Sequence, residues 1–144
     1  MTVAFDKTLS NYPRYENENN DSPRIQRAIN ETAGGVLYIP RGDYEIAEPV
    51  YITGFTSLLL HKAAVLTAVC EIDFILIYDG EKQLKECEEE RSWQRIGMFI
   101  KGGVFNGDGK ASCMAVSGVR HFTLSDTIFM NGKRYGLRTG ETSK

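Results

Sequence analysis

The sequence predicts an all-β solenoid, in which short parallel strands stack in coils and one helix closes the N-terminal end. Short, continuous apolar runs follow one another from residue 36 onward, which is typical of parallel strands that neighbouring layers bury. Only one stretch has a helical pattern, so helices cannot cover a parallel sheet in this chain. An apolar phrase also recurs after 24 residues, and a fixed period of this length indicates coils that contact only their neighbours.

The capping α-helix is predicted over residues 21 to 34. Asp21 or Ser22 can cap its first turn. Pro23 is favourable there because the backbone N–H that proline lacks would have no partner within the first turn of a helix. Gly34 and Gly35 are expected to end the helix. Its apolar residues share one face, which is expected to cover the first coil: Ile25, Ala28 and Ile29.

The strands predicted after this helix are short and closely spaced. The first one ends at Pro40, which has no N–H to donate, and Gly42 with Asp43 is predicted to form the following turn. The apolar runs predict strands at 36–39, 50–52, 58–60, 64–68 and 74–78. About three coils fit into the chain.

The repeat provides the internal evidence for stacking. Its three apolar pairs, each 24 residues apart, are Ile100 with Leu124, Val104 with Ile128, and Phe105 with Phe129. Stacking predicts ladders inside the solenoid, with partners about 4.8 Å apart. Asn106 and Asn131 lie 25 residues apart, so they form either an asparagine ladder at a turn or two ordinary Asn-Gly turns that recur.

The chain has 144 residues, which predicts one domain. Residues 1 to 20 are polar and rich in turn formers, so we expect an N-terminal arm before a single solenoid domain over 21–144. Residues 81 to 95 carry too much charge to be buried between coils, and we expect them to leave the solenoid as an insertion. That insertion is either a solvated excursion or a lid over a groove.

Charge and composition exclude several classes of partner. A net charge of −2 gives no electrostatic basis for binding nucleic acid or an anionic membrane, and no apolar run approaches the roughly 18 residues of a membrane helix. The first residues show no secretory cleavage pattern. Three widely spaced cysteines, Cys70, Cys87 and Cys113, favour buried thiols in a reducing compartment. We therefore expect a cytoplasmic chain, or a piece of a longer protein.

Three phrases, "GGVLYIPRGDYEI" (34–46), "SLLLHKAAVLTA" (57–68) and "IKGGVFNGDG" (100–109), carry a family resemblance. In this order they resemble the N-terminal coils of right-handed parallel β-helix proteins of the pectate-lyase-like superfamily, and most closely the polygalacturonase family of glycoside hydrolases. The coil at 120–137 is also similar to the next one in that family. The resemblance implies a parallel β-helix of about three coils and a polysaccharide or oligosaccharide partner.

The same resemblance implies inverting hydrolysis by carboxylates that flank the glycosidic bond. The family's catalytic phrases are Asn-x-Asp, Asp-Asp, Gly-His-Gly and Arg-x-Lys. The last three do not occur in this chain, and Asn-x-Asp occurs only in the polar lead-in at 19–21 and in the Asn-Gly turn at 106–108. We therefore assign no catalytic residue and expect the N-terminal part of a polysaccharide-cleaving protein whose catalytic coils lie elsewhere. The alternative is a non-enzymatic β-helix module that binds glycans or serves in assembly.

Candidate carbohydrate contacts are chosen by residue type. Cationic side chains can neutralise uronate carboxylates, although the same residues could form an ordinary charged loop or surface pair. Aromatic rings can stack on sugars or simply cover a coil. The candidates are Trp93, Arg120, His121, Lys133, Arg134, Tyr135 and Arg138. His61 and His121 have no second ligand at metal-binding spacing, so no metal or cofactor is predicted.

The C-terminal end of the solenoid has no predicted cap. Residues 136 to 144 are polar and have no amphipathic pattern, whereas an uncovered coil exposes apolar side chains and unpaired backbone groups. We expect further coils of a longer protein, or self-association with another copy, to cover this end.

Overall fold

The structure is a computed structural model that describes residues 4–80, 98–118 and 122–139. Within these ranges the chain forms a parallel β-helix, because it passes in turn through three sheets and all the pairings between strands are parallel. One α-helix precedes the coils. The predicted all-β solenoid with an N-terminal capping helix is therefore confirmed.

The helices are a 3-10 helix at Leu9–Asn11 and α1 at Ser22–Glu31. In chain order the strands are β1 (Lys7–Thr8), β2 (Val36–Ile39), β3 (Gly42–Ile46), β4 (Val50–Tyr51), β5 (Ser57–Leu60), β6 (Ala64–Ala68), β7 (Phe74–Asp79), β8 (Met98–Lys101), β9 (Val104–Asn106), β10 (Ser112–Ser117), β11 (Phe122–Ser125), β12 (Ile128–Met130) and β13 (Leu137–Thr139). The first sheet has the order β1-β2-β5-β8-β11, the second β3-β6-β9-β12, and the third β4-β7-β10-β13.

Apart from β1, which precedes α1 and adds a fifth strand to the first sheet, each sheet takes one strand from each coil, so the described residues form four coils where the sequence predicts about three. The additional strand of the third sheet is β13, which has the sequence Leu-Arg-Thr. A three-residue strand with one apolar residue has no recognisable strand pattern, and it is fixed only by pairing with β10. Because this region is polar, its sequence does not indicate that it stacks on the coil below.

The repeat is in register, as predicted. Leu124 lies over Ile100, and Phe129 lies over Phe105 in a ladder that continues down to Leu66. Val104 and Ile128 also pair, but on the outer wall, where Ile128 is 56% exposed. The prediction that this pair lies inside is wrong, because neighbouring residues of a strand point to opposite faces and the phenylalanines occupy the inside.

The helix α1 closes the N-terminal end of the core. Its apolar residues Ile25, Ala28 and Ile29 are buried. Asp21 occupies the N-cap position, but its side chain makes no capping hydrogen bond to the helix. Its carboxylate accepts instead from the N–H of Glu45 at 2.7 Å, on the outer edge of β3.

Two further side chains of α1 pair with the exposed backbone at this end of the coils. Gln26 forms two hydrogen bonds with the backbone of Tyr51, each 2.8 Å long. The Ser22 hydroxyl accepts from the N–H of Ala47 and donates to the carbonyl of Glu48. The helix thereby hydrogen-bonds edge groups that would otherwise be unpaired.

The segment before α1 packs more closely than its polar composition predicts. Lys7–Thr8 pairs with β2, and Leu9 is fully buried in the core. Arg14 donates to both Asp21 and Glu45, and this joins the segment to the helix and to β3. Long-range ion pairs of this kind have no signature in local composition.

Two local turns differ from the sequence prediction. The turn after β2 consists of Pro40 and Arg41, whereas Gly42 and Asp43, which we expected to form it, begin β3. At the end of α1, Thr32 is the C-cap and Gly34 follows in the left-handed conformation with φ of +76°. The left-handed conformation explains the glycine, because other side chains are strained there.

Cysteine burial is mixed. Cys113 is buried as predicted, but the prediction is wrong for Cys70, which lies in an exposed loop. Cys87, Trp93 and the predicted insertion at 81–95 lie outside the described residues, as do Arg120 and His121. In the part of the chain that the structure describes, no helix has the length and apolar character needed to cross a membrane.

Candidate functional site

A cleft of about 650 Å³ lies at the corner where the chain passes from the second sheet to the third. Loops of successive coils stack at this corner, at 69–73, 107–111 and 131–136. The residues that line the cleft come from three coils: Ile72, Asp73, Phe74, Ser112, Lys133, Arg134, Tyr135 and Arg138.

The upper loop of the cleft begins with an asparagine pair. Asn131 adopts a left-handed conformation with φ of +52°, which asparagine tolerates better than most residues. Its side-chain amide donates to Oδ1 of Asn106 at 3.2 Å, and the same oxygen accepts from the N–H of Asp108 at 2.9 Å. Of the two alternatives for Asn106 and Asn131, the asparagine ladder is therefore confirmed.

Close backbone packing holds this upper loop against the coil below. A Cβ at Gly132 would lie 2.2 Å from the carbonyl oxygen of Tyr135, so only glycine fits here. That carbonyl accepts from the N–H of Cys113 at 3.1 Å, and the N–H of Lys133 donates to the carbonyl of Ala111 at 2.9 Å. These contacts fix the positions from which Lys133 and Tyr135 reach the cleft.

Ser112 provides a further attachment point beneath the loop. Its side-chain oxygen accepts from the N–H of Arg134 at 3.2 Å and from the N–H of Tyr135 at 3.1 Å. The residue is only 3% exposed, yet it lines the cleft. Ser112 therefore forms part of the floor.

The neighbouring thiol of Cys113 is not a candidate nucleophile. Burial raises its pKa, and the opposing effect of hydrogen bonding to backbone groups, Met130 among them, does not reverse the shift. The sulfur donates to the carbonyl of Phe105 at 3.2 Å. A buried thiol with a raised pKa stays protonated at neutral pH and is a poor nucleophile.

Two aromatic rings flank the floor. Phe74 and Tyr135 are nearly parallel, with 6.4 Å between ring centroids and 7° between planes. Ser112 lies between them in the stack, since it pairs with Phe74 on one side and bonds the backbone of Tyr135 on the other. The small serine lets the rings approach across a coil. Tyr135 remains 42% exposed.

Positive charge predominates among the lining residues. Lys133 pairs with Glu71 at 2.6 Å, and both side chains are exposed. The guanidinium of Arg138 lies 5.9 Å from the ring centroid of Tyr135. Neither Arg134 nor Arg138 forms an ion pair with any residue in the described ranges, and Asp73 is the one carboxylate among the described lining residues.

The structure brings together four of the seven candidate contacts, namely Lys133, Arg134, Tyr135 and Arg138. The sequence analysis missed Phe74 and Ser112. Ser112 lies 23 residues before Tyr135, close to the coil repeat, so this spacing could have identified it. Phe74 lies 38 residues before Ser112, because the stretch that contains the predicted insertion interrupts the period.

The described lining residues combine one acidic side chain with several cations. Hydrolysis by a carboxylate pair needs two acids on opposite sides of the scissile bond, whereas the described lining offers Asp73 alone. In the described ranges no group of three or more histidine, cysteine, aspartate or glutamate side chains could hold a metal ion. Cations beside an exposed aromatic ring can instead bind an anionic molecule that contains rings.

No protein-family profile matches the sequence, and no curated protein matches it. Among solved structures, the chain is similar to an iota-carrageenase in complex with iota-carrageenan fragments, with a TM-score of 0.52 and 14% sequence identity. The likeness covers 84% of this chain but only 28% of the carrageenase chain. It shows the fold, and the right-handed parallel β-helix that the sequence phrases predict is confirmed.

Proposed function

We propose that this chain is the N-terminal part of a β-helix protein that acts on polysaccharides, and that its cleft binds an acidic oligosaccharide. The observation that carries the proposal is the cleft itself, which brings Lys133, Arg134, Tyr135 and Arg138 together around one space. Cleavage, if the whole protein performs it, belongs to other coils, as in the polygalacturonase family that the sequence phrases resemble.

The two arginines supply the strongest support for an acidic ligand. Arg134 and Arg138 have no carboxylate partner among the described residues, so their guanidinium groups are available. A guanidinium donates two parallel hydrogen bonds to a carboxylate or sulfate group. A neutral sugar would leave this capacity unused.

The aromatic wall supports a ring-shaped ligand. Tyr135 is partly exposed beside Phe74, so its ring edge and remaining surface are accessible from the cleft. Sugar rings carry apolar C–H faces that pack on aromatic side chains. The carrageenan fragments bound by the structural neighbour favour a polysaccharide over other acidic molecules of similar size.

The alternative function is a non-enzymatic β-helix module for glycan binding or assembly. The observation that favours it is the single carboxylate, Asp73, among the described lining residues. Both functions predict that this chain alone releases no reducing ends, so the assay that separates them is run on the longer protein of which this chain is the proposed N-terminal part, with oligogalacturonate and with a sulfated galacto-oligosaccharide. Release of reducing ends by the longer protein would contradict the module, and release by this chain alone would contradict both proposals.

Calorimetric titration tests the binding proposal directly. We expect oligogalacturonate or the sulfated galacto-oligosaccharide to bind, fully methyl-esterified oligogalacturonate to bind more weakly, and affinity to fall as salt rises. Arg138→Gln should weaken binding of the acidic ligand about tenfold, because a hydrogen bond to a charged group is lost.

Lys110→Gln is the matched control for that substitution. Lys110 lies on the adjacent loop of the same corner, is exposed and pairs with Asp108, but does not line the cleft. Its replacement removes one positive charge and should leave binding almost unchanged. Equal binding of acidic and esterified ligands, or equal effects of the two substitutions, would refute an acidic-glycan site.

A further inference from the structure

We infer that Ser112 is the specificity-determining hydrogen-bond donor at the floor of the cleft, and that its hydroxyl hydrogen points to an oxygen of the ligand's acidic group. This inference rests on the proposed function, because it assigns one contact within the same site. Without this role, Ser112 would be explained only as a small side chain that fits between two aromatic rings.

The inference starts from the hydrogen-bonding capacity of a hydroxyl group, which has two acceptor lone pairs and one donor hydrogen. The N–H groups of Arg134 and Tyr135 take the two acceptor positions of Ser112. Neither N–H can accept the hydroxyl hydrogen in return. The donor must therefore find a different partner.

No such partner is present among the described residues. The hydrogen bonds of Ser112 Oγ there are the two that it accepts, and it donates none to a described residue. The residue is 3% exposed. Buried polar groups in proteins are almost always paired with protein or with water, so this donor at the floor of the cleft is available to an acceptor that enters the cleft.

The surroundings of this donor select the ligand atom. Phe74 and Tyr135 flank it with parallel rings, and apolar walls strengthen a hydrogen bond by lowering the local dielectric. Arg134 and Arg138 bring positive charge to the same cleft. An oxygen that accepts and carries negative charge fits both conditions, so we assign the position to a carboxylate or sulfate oxygen.

The experiment compares Ser112→Ala with Arg138→Gln in calorimetric titrations over a range of salt concentrations. The probes are oligogalacturonate, which carries carboxylates, and the sulfated galacto-oligosaccharide. We expect Ser112→Ala to weaken binding about tenfold at every salt concentration, since a donor to a charged group is lost while the cations remain. Arg138→Gln should instead reduce the dependence of affinity on salt.

The salt dependence separates a ligand contact from a structural role. If Ser112 only holds the loop, its replacement displaces Arg134 and lowers the salt dependence as Arg138→Gln does, which overturns the inference.

The outcomes distinguish this inference from the function on which it depends. If the unmodified chain binds neither acidic probe, the proposed function fails, and the role of Ser112 fails with it. If the chain binds, Arg138→Gln weakens binding and Ser112→Ala does not, the acidic-glycan site stands and the inference about Ser112 is wrong. The probe that shows the loss identifies the oxygen as carboxylate or sulfate.

Discussion

The two ends of the solenoid contain the same kind of coil but differ in how they are covered. At the N-terminal end, α1 places buried apolar residues over the first coil, and Asp21, Ser22 and Gln26 bond the backbone at its edge. At the C-terminal end, Leu137 faces inward over Met114 but is 39% exposed. Strands pair at both ends, but the inward-facing apolar side chains of an end coil are buried only where a further element, such as α1, packs over them.

One ladder shows the difference most directly. Leu66, Phe105 and Phe129 occupy the same position in successive coils, and the first two are fully enclosed while Phe129 is only partly buried. Side-chain type and register are the same for the two phenylalanines. Position along the solenoid alone determines how much apolar surface each one removes from water.

The largest expected effect comes from truncating these two rings. Phe105→Ala should lower the free energy of unfolding by about 3–5 kcal/mol, because it leaves a cavity among enclosed side chains. Phe129→Ala should cost about 1 kcal/mol, because its ring is already partly solvated. Urea unfolding of both variants measures the difference. Equal losses would mean that the last coil is covered as well as the one below it.

Removing the buried carboxylate of the cap is the next largest change. The side chain of Asp21 is 5% exposed and pairs with Arg14 and Arg24, so Asp21→Ala should cost about 3 kcal/mol by leaving the charge of Arg24 and the N–H of Glu45 without this partner, while Arg14 keeps its ion pair with Glu45. Lys110→Ala breaks an exposed pair with Asp108 and is the control, with an expected change below about 0.5 kcal/mol. Similar losses in thermal or urea unfolding would contradict a special role for the cap.

The same carboxylate predicts acid sensitivity of the N-terminal end. Burial acts to raise the pKa of Asp21, but hydrogen bonds from Arg14 and from the N–H of Glu45 outweigh it, and the pKa is lowered overall. A group whose folded pKa lies below its unfolded value stabilises the fold above the unfolded pKa, and this contribution is lost as pH falls through the folded one. We expect urea midpoints to fall below about pH 4.

Asp21→Asn tests that assignment. The variant should be less stable at neutral pH and should lose less on acidification, although some acid sensitivity remains because the pKa of Glu18 is also lowered, chiefly by its hydrogen bond from Arg27. A variant that loses as much as the unmodified chain between neutral and acid pH would place the sensitivity elsewhere.

The smallest expected effect on stability concerns the exposed end itself. We propose that this end mediates self-association of the chain, so Leu137→Lys should shift sedimentation equilibrium toward monomer and change unfolding little. Val69→Lys is the control, because Val69 is 38% exposed and belongs to a lower coil. A monomeric unmodified chain at all concentrations would contradict association through this end and leave further coils as the proposed cover.

The sequence predicts those features that repeat or that rest on local pattern. The registers of Ile100 with Leu124 and of Phe105 with Phe129 follow from one spacing, and the face of α1 follows from helical periodicity. The edge bonds of Asp21 could not be predicted, because they join a helix N-terminus to a strand 24 residues away. Local composition does not predict such a contact.

The residues of the cleft also divide into those that the sequence could identify and those that it could not. Lys133, Arg134, Tyr135 and Arg138 are close in sequence and could be identified together as a charged cluster. Phe74 and Ser112 come from other coils, and only the fold places them beside that cluster. The unused donor of Ser112 is visible only when each hydrogen bond of the loop above it is known.

Phe74 and Tyr135 stack across one intervening coil, so the cleft depends on the number of coils between these two residues. Insertion of one more coil between β7 and β13 would separate the two rings by about a further 4.8 Å, and deletion of the intervening coil would remove Ser112 altogether. Coils added before β7 or beyond β13 therefore leave the spacing of the two rings unchanged, whereas a duplication between these strands alters the site in a single step.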